Sequence, residues 1–229
     1  MTTRRHRPLR RLLTGAALAT LLLGLLGPAR ADAAAAPAIW VGSPAQGTWG
    51  VAGDVSTTPA GGHHLLYRAS PTNDWAVDLP AGPGSTVKLY VAPSNSAYNS
   101  RVTTVITQIV DNNACRNGGG GDLVTVAIRF DGATVGQTTV AHIDRTSTLR
   151  VGQAVTRWGT VLGTVANLSG GGSGGSGCWT GPHVHTELRA STNYACWNRG
   201  YRPGSAISRS NFIGFVTGPA LGRAPQPCP

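Results

Sequence analysis

Short runs rich in Val, Thr and Ile recur along this chain, each bounded by Gly, Pro, Asn or Asp. They cover Ser85–Val91, Val102–Val110, Leu123–Phe130, Gln137–Ile143, Ala154–Val165 and His183–Leu188. β-Branched residues fit a pleated surface, and turn-forming residues end such runs, so each is expected to be a strand. Asp131-Gly132 sits between two of them and signals a hairpin with Leu123–Phe130 and Thr134–Ile143 as its arms. Helix builders are scarce: glutamate and lysine occur once each, as Glu187 and Lys88, against 32 glycines. A mainly antiparallel β fold follows.

The N-terminal end breaks this pattern. Five arginines between Arg4 and Arg11 precede an apolar run from Leu12 to Gly27, and small residues follow around Ala31 and Ala33. This reads as a secretory signal peptide over residues 1–33, cleaved near 31–33; the run is too short and too interrupted for a membrane anchor. The remaining 34–229 are expected to form one domain, with an irregular Pro-rich tail from about 219. Removing the leader also changes the charge. Of the formal +10, six arginines lie up to position 31 with no acid among them, which leaves 13 basic and 9 acidic residues, a net of about +4. The remaining basic residues are scattered without an aromatic-interleaved cluster, so no nucleic-acid partner is expected. No later stretch is long and apolar enough for a bilayer, so no membrane partner is expected after cleavage. Cys115, Cys178, Cys196 and Cys228 are even in number, lie in the exported part and lack CxxC spacing, which favours disulfides over a zinc knuckle. Four cysteines allow three pairings.

Chemistry concentrates in histidines. Outside the leader the chain has His63, His64, His142, His183 and His185. On a strand, residues i and i+2 point to one face about 6.6 to 6.8 Å apart, so His183 and His185 deliver two imidazoles to one pocket. A catalytic zinc needs three protein ligands and an open position, commonly from histidine and carboxylate. Asp78, ending the stretch Trp75-Ala-Val-Asp78, supplies a carboxylate, and His63-His64 stand upstream of it. Asp74 reads as part of an Asn-Asp turn. Glu187 shares a face with His185 and reads as outer support for a histidine. The glycine clusters at 117–121 and 169–177 are not phosphate loops, since neither is followed by Lys-Ser/Thr or opens a helix. The second reads as a connector.

Four segments, in order, resemble the lysostaphin and β-lytic zinc endopeptidases, closest to the β-lytic branch of the LytM-like family. They are Gly61-Gly-His-His64, Asp78-Leu-Pro-Ala-Gly-Pro-Gly-Ser-Thr-Val87, Thr139-Val-Ala-His-Ile143 with Leu149-Arg-Val-Gly-Gln153, and Gly181-Pro-His-Val-His-Thr-Glu187. Three departures occur: Ile143 replaces leucine after the histidine, Val140 replaces the usual tyrosine two before it, and the loop leading to Asp78 is long. The resemblance implies a lysostaphin-type peptidase fold with long loops around a zinc groove. One zinc ion per chain would be held by His64, Asp78 and His185, with His63 the alternative to His64. His142 and His183 would be the catalytic pair flanking the attacking water, their division of labour left open. The implied activity is hydrolysis of peptide bonds in bacterial peptidoglycan by a secreted, monomeric enzyme; the alternative is a catalytically silent wall-binding module of the same fold. The same resemblance implies the pairings Cys115–Cys178 and Cys196–Cys228.

Overall fold

The computed structural model describes residues 37–44, 49–50, 74–112, 120–167, 182–190, 194–197, 206–207 and 212–221. Contacts separate Met1–Ala35 from Ala36–Pro229, and every described residue lies in the second unit. Among the described residues the regular secondary structure is almost entirely strand. In chain order these are β1 (Ile39–Gly42), β2 (Trp49–Gly50), β3 (Asp74–Pro80), β4 (Thr86–Lys88), β5 (Val91–Pro93), β6 (Val102–Val110), β7 (Asp122–Phe130), β8 (Ala133–Arg145), β9 (Val161–Val165), β10 (His183–Arg189), β11 (Tyr194–Trp197), β12 (Ala206–Ile207) and β13 (Phe212–Thr217). The helical pieces are two short 3₁₀ segments, Ser96–Arg101 and Pro219–Leu221.

The larger sheet runs β3-β10-β8-β7-β6, with β9 pairing both β8 and β4. A second sheet runs β11-β13-β1-β5, and β12 pairs β2. All of these pairings are antiparallel. The expected hairpin is present: Phe130 pairs with Ala133, and Asp131 and Gly132 both take positive φ, 50° and 82°. Two consecutive left-handed residues match the twist of the flanking strands, which is why Asp-Gly is favoured there. Arg101 reinforces the turn, donating through Nε to Asp131 at 2.8 Å while its guanidinium lies 4.5 Å from the Phe130 ring centre.

Two expected strands are shorter than their sequence pattern. Ser85–Val91 is split at Leu89–Tyr90, where the chain leaves one sheet for the other. Thr86–Lys88 pairs with β9 and Val91–Pro93 with β1, while the carbonyls of Leu89 and Tyr90 accept from Trp158 and Gly42. Within Ala154–Val165 only Val161–Val165 is strand. Ala154 makes an isolated bridge to Val105, and Arg157–Gly159 form a turn in which Trp158 has φ 55° and Thr156 bonds Thr160 through their hydroxyls.

The two larger sheets share one core, in which Ile39, Val41 and Val216 meet Val126, Ile128, Val140, Val184 and Leu188. Burying each such side chain contributes roughly 1.5–3 kcal/mol. The sheets approach closely at Gly136, where an added Cβ would stand 2.8 Å from Val216 Cγ2. Alternation along the larger sheet sends Val124, Val126, Val140, Val184 and Leu188 to this core. Its other face carries Leu123, Ala141, Thr125, Thr139, His183, His185 and Glu187, in cross-strand rows set by the register. His185, Ala141 and Leu123 make one row; Glu187, Thr139 and Thr125 make the next.

Candidate active site

β10 is the central positioning element. It is flanked by β3 and β8, and His183 through Leu188 are all buried. Its His185 lies directly opposite Asp78 of β3, and this pairing puts their side chains together: His185 Nδ1 is 2.9 Å from Asp78 Oδ1. His183 Nε2 is 3.4 Å from the same oxygen. Two residues along the strand, Glu187 Oε1 accepts from His185 Nε2 at 2.9 Å. The expectation that Glu187 supports a histidine thus has a direct geometric counterpart, and the residue is fully buried.

His142 reaches the cluster by a different device. Leu123 pairs with Ala141 and Asp122 with Ile143, so His142 is an extra residue in β8, a β-bulge, with φ 62°. A left-handed non-glycine residue in a strand is strained, and such strain is tolerated where the surroundings fix it. Here the His142 carbonyl accepts from Ala166 N–H at 3.0 Å, and Nδ1–H donates to the Gly120 carbonyl at 2.6 Å. Its ring centre stands 4.6 Å from that of His183 and 5.9 Å from that of His185, edge-on in both cases. The bulge also decides faces: Ile143 packs in the main core, while His142 joins the other histidines.

The electrostatics separate two of the imidazoles. Burial pushes His142 down to about 3, assisted by its histidine neighbours, so it is neutral across the physiological range. Since a carbonyl only accepts, Nδ1 carries the proton and Nε2, across the ring, carries the lone pair. For His185 burial also lowers the pKa, but hydrogen bonds to Asp78 and Glu187 outweigh it and raise the pKa to about 9. One buried imidazole between two carboxylates holds a positive charge.

Asp78, His142, His183 and His185, four of the residues singled out in the sequence, are therefore brought together. His64 and His63 lie outside the described residues, as do Cys115, Cys178 and Cys228, and so does the side chain of Cys196. The Gly120 carbonyl was not foreseen. Its signal in the sequence is the pair Gly120-Gly121 directly before β7, with φ 81° and 76°, a conformation that favours glycine.

No family model matches the chain, and no curated protein does. Solved structures similar to it include a peptidase and a catalytic domain. A zinc containing peptidase from Vibrio cholerae is 17% identical with a TM-score of 0.33, over 61% of this chain and 34% of that one. A mutant catalytic domain of the prophage-encoded M23 protein EnpA from Enterococcus faecalis is 19% identical with a TM-score of 0.35, over 71% of this chain and 90% of that one. This chain spans about a third of the length of the first. At such scores the site stands on its own geometry.

That geometry fits a divalent cation. Four-coordinate zinc at about 2.0–2.2 Å from N and O ligands spaces its ligand atoms roughly 3.3 Å apart. Asp78 Oδ1 and His185 Nδ1, at 2.9 Å, are within a few tenths of an ångström of that separation. Glu187 on Nε2 leaves Nδ1 turned toward Asp78, the carboxylate–histidine arrangement known to orient metal-binding imidazoles. Among the described residues no set of three side chains is disposed to hold a metal.

Proposed function

We propose that this chain is a secreted zinc-dependent endopeptidase that hydrolyses peptide bonds of bacterial peptidoglycan, in cross-bridges or stem peptides. The observation that carries the reading is the convergence of Asp78, His183 and His185 at one carboxylate oxygen, with Glu187 fixing His185 from behind and His142 beside them. Two of these histidines are strongly shifted in pKa, and perturbed titratable groups cluster at functional sites.

Asp78 and His185 would hold the ion together with His64. When bound, zinc supplies Lewis-acid polarisation of a carbonyl and acidification of water. The remaining chemistry belongs to the side chains. Water adds to the scissile carbonyl carbon, and His142 Nε2 takes its proton. His183 donates to the carbonyl oxygen as charge develops there. The C–N bond then breaks, the departing nitrogen regains the proton from His142, and the products are one carboxylate and one amine. The N-terminal leader pattern supports export, and the absence of a basic cluster argues against nucleic acid.

Purified protein, its leader removed, should contain one zinc and release peptide fragments from purified peptidoglycan, with chelation stopping both. Mass spectrometry of products from defined muropeptides identifies the bond. Bound metal with no cleavage of any wall type would instead indicate the wall-binding module.

A further inference from the structure

We infer that Asp122 is the positioning residue for His142, acting through the backbone that presents the Gly120 carbonyl. This rests on the proposed role of His142 as proton acceptor.

Asp122 opens β7 and pairs with Ile143, directly beyond the bulge. Its carboxylate accepts two backbone N–H groups from different strand ends. Oδ1 takes Asn112 N–H at 2.7 Å, just past β6, and Oδ2 takes Arg145 N–H at 3.1 Å, at the end of β8. Arg145 Nε lies 3.9 Å from Oδ2 and donates to Asp111 at 2.6 Å, which ties the same three segments again. A single carboxylate thus joins the ends of β6 and β8 to the start of β7, two residues from Gly120. Bonds from backbone donors to an ionised acceptor are roughly twice as strong as neutral ones.

Gly121 adds a steric constraint. A Cβ there would stand 3.1 Å from the Ile143 carbonyl and 3.2 Å from its nitrogen, so the glycine backbone rests against the bulge itself. Held between Asp122 and Ile143, the Gly120 carbonyl meets His142 Nδ1 at 2.6 Å. That bond selects one tautomer, with the lone pair on Nε2. Without it the imidazole can take the opposite tautomer, in which Nε2 is a donor and accepts no proton.

Asp122→Ala tests this in the zinc-loaded protein. Nitrogen NMR of the imidazoles should show His142 protonated at Nδ1 in the native chain and as mixed tautomers in the variant. The kcat should fall about 10- to 100-fold with KM within about twofold and zinc content unchanged. Asp122→Asn keeps one acceptor oxygen, so the loss and the tautomer mixing should be intermediate. An unchanged tautomer in Asp122→Ala overturns the inference; if that variant does not fold, an unchanged tautomer in Asp122→Asn does so. Should the native protein cleave no peptide, the proposed function fails, and the tautomer comparison still decides the role of Asp122.

Discussion

His185 and Glu187 stand two positions apart on one strand, and Glu187 Oε1 meets His185 Nε2 at 2.9 Å with both side chains buried. The carboxylate fixes which nitrogen of the imidazole faces Asp78. Glu187→Gln keeps the shape but can no longer accept as an anion. Zinc affinity should fall about 10- to 100-fold, read by competition with a chromogenic chelator.

Replacing a ligand should cost more than replacing its support. Asp78→Asn and His185→Ala are each expected to give protein without metal by elemental analysis, and activity should vanish with it. His142→Ala should instead keep its zinc while losing activity. A metal-free His142 variant would mean that this histidine is a ligand.

The metal-stripped protein should have a stability optimum near pH 6.5. His142 takes a proton at about 6.5 when unfolded but only at about 3 when folded, so the unfolded chain binds more protons between these values. Stability therefore falls as pH drops below about 6.5. His185 works in the opposite direction: raised from 6.5 to about 9, it contributes fully below 6.5, and that contribution is lost as pH rises through 9. Thermal midpoints from pH 4 to 10 would check this. His142→Gln should flatten the acid limb and His185→Gln the alkaline one.

Gly136→Ala tests the sheet-to-sheet packing. Its new methyl would press on Val216 at 2.8 Å and stand 3.1 Å from the Arg189 carbonyl. Overpacking of this kind costs about 1–3 kcal/mol. In a domain of this size each kcal/mol lowers the melting midpoint by roughly 2–4 °C. Calorimetry should therefore find a drop of several degrees with no change in zinc content.

Strand identity was legible because Val, Thr and Ile runs ended at turn residues, and Asp131-Gly132 announced its hairpin without ambiguity. The shared face of His183, His185 and Glu187 followed from period two alone. What escaped was wherever the chain departs from that period. Ser85–Val91 has an unbroken strand pattern, yet its middle carbonyls serve other segments as the chain crosses between sheets. Ala154–Val165 is equally apolar in places, but Trp158 turns left-handed. The meeting of Asp78 with His185 is a register fact, a contact across 107 positions that local pattern does not encode. Only the family-like motifs pointed to it.

The bulge in β8 makes the site depend on counting. With the same residues but no bulge, strict alternation after Ala141 would turn His142 toward the valines and bring Ile143 out beside His183. Deleting His142 itself would restore regular alternation, with Ile143 still facing the core, and would take the proton acceptor out of the site while leaving the hairpin at Asp131-Gly132 intact. The face His142 takes is set by the number of residues here more than by the identity of its neighbours, so relatives that work the same way should tolerate substitutions around the histidine better than gaps.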